Sequence, residues 1–122
     1  MVMPKGYKKA IQSLWDGRAT ITVQEGVLDE RTGRTEPVER VTASELPCRI
    51  SFATVKSTEP DEEAAKVAQT VTLYIDPDLV IPEGSKITVT QNQVTTDYGR
   101  SGKAAVYTDH QEVPLELWEG WA

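Results

Sequence analysis

The chain has 122 residues and a formal net charge of −6, enough for one domain with its own core and a poor balance for phosphate-rich or anionic-membrane partners. A single cysteine, Cys48, excludes an internal disulfide, and one cysteine with one histidine cannot supply the four ligands of a common zinc site. The basic start is followed by no apolar stretch of signal-peptide length, and no run approaches the ~20 apolar residues of a membrane span. The expectation is a soluble protein made in the cytoplasm, without a membrane partner.

In chain order, residues 1–17 read as an N-terminal arm, with Ile11, Leu14 and Trp15 at helix-like spacing. From Arg18 the period becomes two: Ala19, Ile21 and Val23 alternate with Thr20, Thr22 and Gln24, as in a half-buried strand rich in β-branched residues. Gly33, in Glu30-Arg31-Thr32-Gly33-Arg34, suits a turn with positive φ. Residues 18–42 therefore read as a long hairpin with a charged, projecting tip that carries Arg31 and Arg34. Cys48, Ile50 and Phe52 form a third alternating run.

Residues 56–69 differ. Thr58 is a candidate N-cap, and Pro60, Asp61, Glu62 and Glu63 suit a first helical turn ahead of Ala64, Ala65, Lys66, Val67 and Ala68. An exposed short helix or loop inserted at 54–69 is the expectation. Val71, Leu73 and Ile75 mark a strand that ends at Asp76-Pro77-Asp78. The apolar run at residues 79–81 closes on the turn signal Pro82-Glu83-Gly84, and Ile87 and Val89 resume alternation. Residues 98–102 read as another turn, and Ala105 and Tyr107 as a weak strand. Val113, Leu115 and Leu117 end the pattern. Pro114 within that run predicts an edge strand, because proline cannot donate to a ladder. The sum is a mostly β fold, a small antiparallel barrel or sandwich over residues 18–118, with 119–122 as a tail.

Chemistry-bearing constellations are sparse, and the sequence predicts no catalytic residue, metal site or cofactor. His110 follows Asp109 without a nucleophile motif and reads as a surface histidine. Asp76 and Asp78 lack the further ligands and glycine of a calcium loop and read as a turn. Residues 99–103 have the wrong spacing for a phosphate loop. Cys48 reads as a small buried hydrophobe. Aromatic placement stands out instead. Trp15 near the start and Trp118 and Trp121 at the end are interface candidates, since tryptophan is enriched in binding hot spots. Trp118 closes the core or serves a partner; Trp121 is expected to serve a partner.

Taken together, Met3-Pro4-Lys5, Leu14-Trp15-Asp16-Gly17, Ala19-Thr20-Ile21-Thr22-Val23, the charged tip at residues 29–34, Cys48-Arg49-Ile50-Ser51-Phe52, Val71-Thr72-Leu73-Tyr74-Ile75-Asp76, Val80-Ile81-Pro82-Glu83-Gly84-Ser85-Lys86-Ile87-Thr88-Val89 and Val113-Pro114-Leu115-Glu116-Leu117 follow one another in an order that resembles the head-tail connector, or head-closure, proteins of tailed phages, often called minor capsid proteins. The resemblance covers about residues 15–118. It implies a non-enzymatic subunit of a homo-oligomeric ring in the virion neck, between a portal-adaptor protein and a tail-terminator or tail-completion protein. DNA would only pass through the channel. On this reading the hairpin and Pro114 supply ring contacts, and Glu59, Asp61, Glu62, Glu63 and Lys66 are candidates for a channel-facing or gating element whose acids would repel DNA. The alternatives are another phage tail structural protein, such as a terminator or tube subunit, and a small β-barrel module binding a ligand or nucleic acid.

Overall fold

A computed structural model describes residue 10, residues 12–56 and residues 67–121. The expected gating residues and most of the N-terminal arm lie outside the described residues.

Among the described residues seven strands follow one another: β1 (Gly17–Asp29), β2 (Arg34–Lys56), β3 (Val67–Ile75), β4 (Lys86–Gln91), β5 (Val94–Arg100), β6 (Ala105–Val106) and β7 (Gln111–Leu117). Every pairing is antiparallel. The sheet runs β3-β2-β1-β4-β5-β7-β6, and β3 also pairs with β7, so six strands close into a barrel with β6 as an appendage of β7. Closure removes the open edges that a flat sheet of this size would expose.

The period-two pattern explains the interior. Ala19, Ile21, Cys48, Ile50, Leu73, Ile75, Ile87, Val89, Tyr98, Val113 and Leu115 point inward and form one buried cluster. Ile81, on the link between β3 and β4, joins that cluster from one end of the barrel. Beside it the buried Gln111 donates from Nε2 to the carbonyls of Asp76 and Leu79, both at 2.7 Å, and so ties the link down.

Two ribbons leave opposite ends of this barrel. β1 pairs with β4 only over residues 18–22, whereas its pairing with β2 continues to Asp29↔Arg34. Residues 23–29 and 34–40 therefore form a two-stranded ribbon of roughly 23 Å, at about 3.3 Å per residue. At the other end β2 and β3 remain paired out to Lys56↔Val67, past the last β3–β7 pair at Val71↔Leu115.

Four sequence expectations are revised. β2 is a single strand of 23 residues, not two runs. Two extra residues in it (Ala19 pairs with Leu46, Ile21 with Ala43, Thr22 with Val41) absorb the change of face that made it read as separate elements. Glu45, at φ 53°, sits in this irregular stretch. Residues 98–100 belong to a strand, and the turn lies earlier, at Asn92 (φ 53°) and Gln93 (φ 67°). The two left-handed residues make a two-residue hairpin turn that normally carries Asn-Gly, and glutamine at the second position conceals it. Residues 54–56 and 67–69, read as ends of a helical or loop insertion, are strand. Finally, β7 is not an edge strand. Pro114 fits because β7 changes partner there, from β6 at residues 111–112 to β5 at 115–117, while the Pro114 carbonyl accepts from the Ser101 amide at 2.9 Å.

Candidate interaction surfaces

Among the described residues no strand lies beyond either outer edge of the β1–β2 ribbon, and its tip is locally built. The Asp29 carboxylate accepts from the Arg31 amide (3.0 Å), the Asp29 carbonyl accepts from the Gly33 amide (2.8 Å), and Gly33 takes φ 69°, as its position in the sequence predicted. The turn leaves Arg31 and Arg34 exposed at the end of the ribbon. Apolar side chains stay in solvent along it: Val27, Leu28, Val38 and Val41 are all exposed, Leu28 at 61%. Glu25 and Arg40 pair diagonally across one face at 3.0 Å. A ribbon of this length with exposed apolar residues and two edges that no described strand pairs has the features of a strand-pairing arm.

At the root of the ribbon the chain returns to itself. After β7 the amide of Trp118 donates to the Asp97 carbonyl (3.1 Å), and its ring lies over Gly99, where an added Cβ would meet the indole at 3.4 Å. Trp121 packs edge-on against Trp118, with ring centroids 4.7 Å apart at 79°. Its Nε1–H donates to Glu39 Oε1 at 2.9 Å, and Lys86 Nζ donates to the same oxygen at 3.1 Å. These two donors, Trp121 first, hold the Glu39 carboxyl below its ordinary range. Trp121, expected to serve a partner, is thus engaged within the chain, and Trp118 covers the outside of β5. Trp15 is buried and lines a cleft with Arg49, Ser51 and Tyr74. Pro114 is half-buried over Gly102.

The opposite end of the barrel holds a cleft of about 200 Å³, lined by Ile50, Phe52, Val89, Val94 and Tyr98 with Gln91, Asn92 and Thr96. That is below the ~300 Å³ at which small-molecule pockets begin. This end lies before the start of β1 at Gly17, and Gln91 takes the place of a strand in the ladder. The Ile50 amide donates to Gln91 Oε1 (2.7 Å), and Gln91 Nε2 donates to the Ile50 carbonyl (3.2 Å). Gly17 is required at this junction, because a Cβ would lie 2.8 Å from the Cys48 carbonyl oxygen. Cys48 is fully buried, and desolvation pushes its thiol up to about 12, which agrees with its reading as a small hydrophobe.

His110 is more constrained than a plain surface histidine. Its Nδ1 lies 2.8 Å from Asp109 and its Nε2 3.2 Å from Glu112, and the ring stacks on Tyr107 and makes a tilted contact with Tyr74, centroids 5.6 Å apart. The bond from His110 holds the Asp109 carboxyl below its ordinary range. Asp76 and Asp78 form the expected turn: the Asp78 amide donates to Asp76 Oδ1 (2.9 Å) and the Leu79 amide to the Asp76 carbonyl (3.2 Å). Among the described residues no three His, Cys, Asp or Glu side chains are grouped to hold a metal ion.

The residues that sequence reasoning missed are Glu39, Lys86 and Gln91. Each is an ordinary polar residue in a strand, and only the register of the closed barrel brings it to its partner.

No protein family matches the chain, and neither does any curated protein. Among solved structures it is similar to the phage-like element PBSX protein xkdH from Bacillus subtilis, with 15% sequence identity and a TM-score of 0.49 over 82% of this chain and 91% of that one. A likeness at this level assigns no function.

Proposed function

We propose that this chain is a structural, non-enzymatic subunit of a tailed-phage particle, and within it of the neck ring that joins the head to the tail and helps retain packaged DNA. The observation that carries this reading is the architecture itself: one closed barrel with ribbons leaving its two ends. A rigid body with unlike projections at either end offers the different faces that a closed ring of identical subunits requires, since each copy meets its neighbour through two unlike surfaces. It also leaves an element on each side for a portal-adaptor protein and a tail-terminator or tail-completion protein. The order of sequence features that resembles head-closure proteins supports the same assignment. The net charge of −6 suits a component that lets DNA pass without holding it. In this reading the protein is made in the host cytoplasm and resides at the head-tail junction.

Cryo-electron microscopy of the particle with which the chain co-purifies tests the proposal. The expected result is ring density between head and tail with the β1–β2 ribbon at a subunit contact. Density at the far end of a tail tube, or a monomer recovered free of any particle, would overturn it; a tube position would favour a tail subunit.

A further inference from the structure

The direction of the β1–β2 ribbon needs a physical cause, because the barrel supplies little of it. β4 stops supporting β1 at Thr22↔Lys86, and the two extra residues of β2 fall between Leu46 and Val41, beside that point. An irregular ladder next to an unsupported ribbon is a bending site. Residues 118–121 cross this site from outside. Trp121 shares a cleft with Val23 and Gln24 of the ribbon on one side and the Pro82–Ser85 turn on the other. Its indole N–H reaches Glu39 on the second strand of the ribbon, Lys86 of β4 reaches the same carboxylate oxygen, and the Lys86 ammonium stands 6.0 Å from the Trp121 ring. Trp118, packed against Trp121 and bonded through its amide to Asp97, anchors the segment to β5. Ribbon, β4 and β5 are thereby linked through the Trp118–Trp121 pair.

We propose that residues 118–121 form a strap that fixes the angle between ribbon and barrel, and that withdrawal of Trp121 from Glu39 releases the ribbon to re-aim. The contact is suited to reversal. The Glu39 side chain is 51% exposed, so water can replace the indole N–H at small cost. The inner half of the strap differs, since Trp118 stays anchored by its amide and by the flat surface over Gly99. A partner that takes up the Trp121 ring would therefore free the ribbon without opening the barrel. This inference rests on the fold alone and is independent of the particle in which the protein works.

The test is the width of a distance distribution between spin labels on the full chain, one at the ribbon tip (Thr32→Cys) and one on the β4–β5 turn (Gln93→Cys), with Cys48→Ala in the background. With Trp121 present the distribution should be narrow. Trp121→Ala should broaden it about twofold or more, and Trp121→Phe, which keeps a ring but loses the N–H, should fall between. Amide exchange of the barrel strands should be unchanged in both variants. A wild-type width in Trp121→Ala would overturn the proposal. So would a general loss of barrel protection, which would make Trp121 part of the core instead of a strap.

Discussion

The barrel and the β1–β2 ribbon are built from the same two strands, yet they answer to different physics. Within the barrel, β1 alternates between buried Ala19 and Ile21 and outward-facing neighbours, and strands flank it on both sides. A few residues later the same strand carries Val27 and Leu28 into solvent with β2 alone beside it among the described strands. Secondary structure is continuous across the boundary; burial is not. Hydrophobic burial therefore stabilises the barrel, while the ribbon keeps its apolar side chains and ladder edges unspent. Apolar residues that a monomer leaves exposed along a projecting arm are what an assembly contact consumes.

The contrast is sharpest for side-chain truncation. Leu73→Ala, at a fully buried position, should destabilise the protein by about 2–5 kcal/mol in urea unfolding. Leu28→Ala on the ribbon should stay within about 0.5 kcal/mol. Equal effects at the two sites would abolish the distinction.

The junction where β1 begins should rank next. Gly17→Ala places a methyl group 2.8 Å from the Cys48 carbonyl oxygen, and a loss of about 1–3 kcal/mol is expected from the forced backbone shift. Gln91→Ala removes the amide that completes the ladder at Ile50 and should cost about 1–2 kcal/mol, since the junction is only partly buried. Gln93→Gly acts in the opposite direction. It relieves a left-handed non-glycine residue and should stabilise by about 1 kcal/mol.

The smallest effect near neutrality is that of Cys48. An unfolded cysteine ionises near 8.5, whereas burial pushes Cys48 up to about 12 in the folded chain. The unfolded state loses its proton first, so this contribution is intact below about pH 8.5 and stability falls as the pH rises from there towards 12. The decline should be shallower in Cys48→Ala, read as the urea midpoint against pH.

Much of the barrel was legible because alternation is a local signal. Ile21, Cys48, Ile50, Leu73, Ile75, Ile87, Val89, Val113 and Leu115 were all placed on strands by their spacing, and each lies in the core. The long hairpin and its Gly33 turn were legible for the same reason. β5 was not, because its turn carries Gln93 where the usual signal is glycine and its core contribution is the lone Tyr98. Pro114 misled in a different way: it marks a change of partner along β7, which depends on where β5 and β6 end and not on anything in the local sequence. The strap was out of reach as well, since Trp121, Glu39 and Lys86 are joined only through barrel register. The two tryptophans after β7 were singled out by residue type, and in the fold they pack on each other at the root of the ribbon.

The most direct test of the central claim separates ribbon from barrel by shortening the ribbon. Residues 24–39 are replaced by an Asn-Gly turn, and incorporation into the particle is compared with that of the intact chain. The account predicts a urea midpoint close to wild type together with loss of the shortened chain from the particle. A shortened chain that folds and is incorporated in full would contradict it, because the exposed arm would then contribute nothing to assembly.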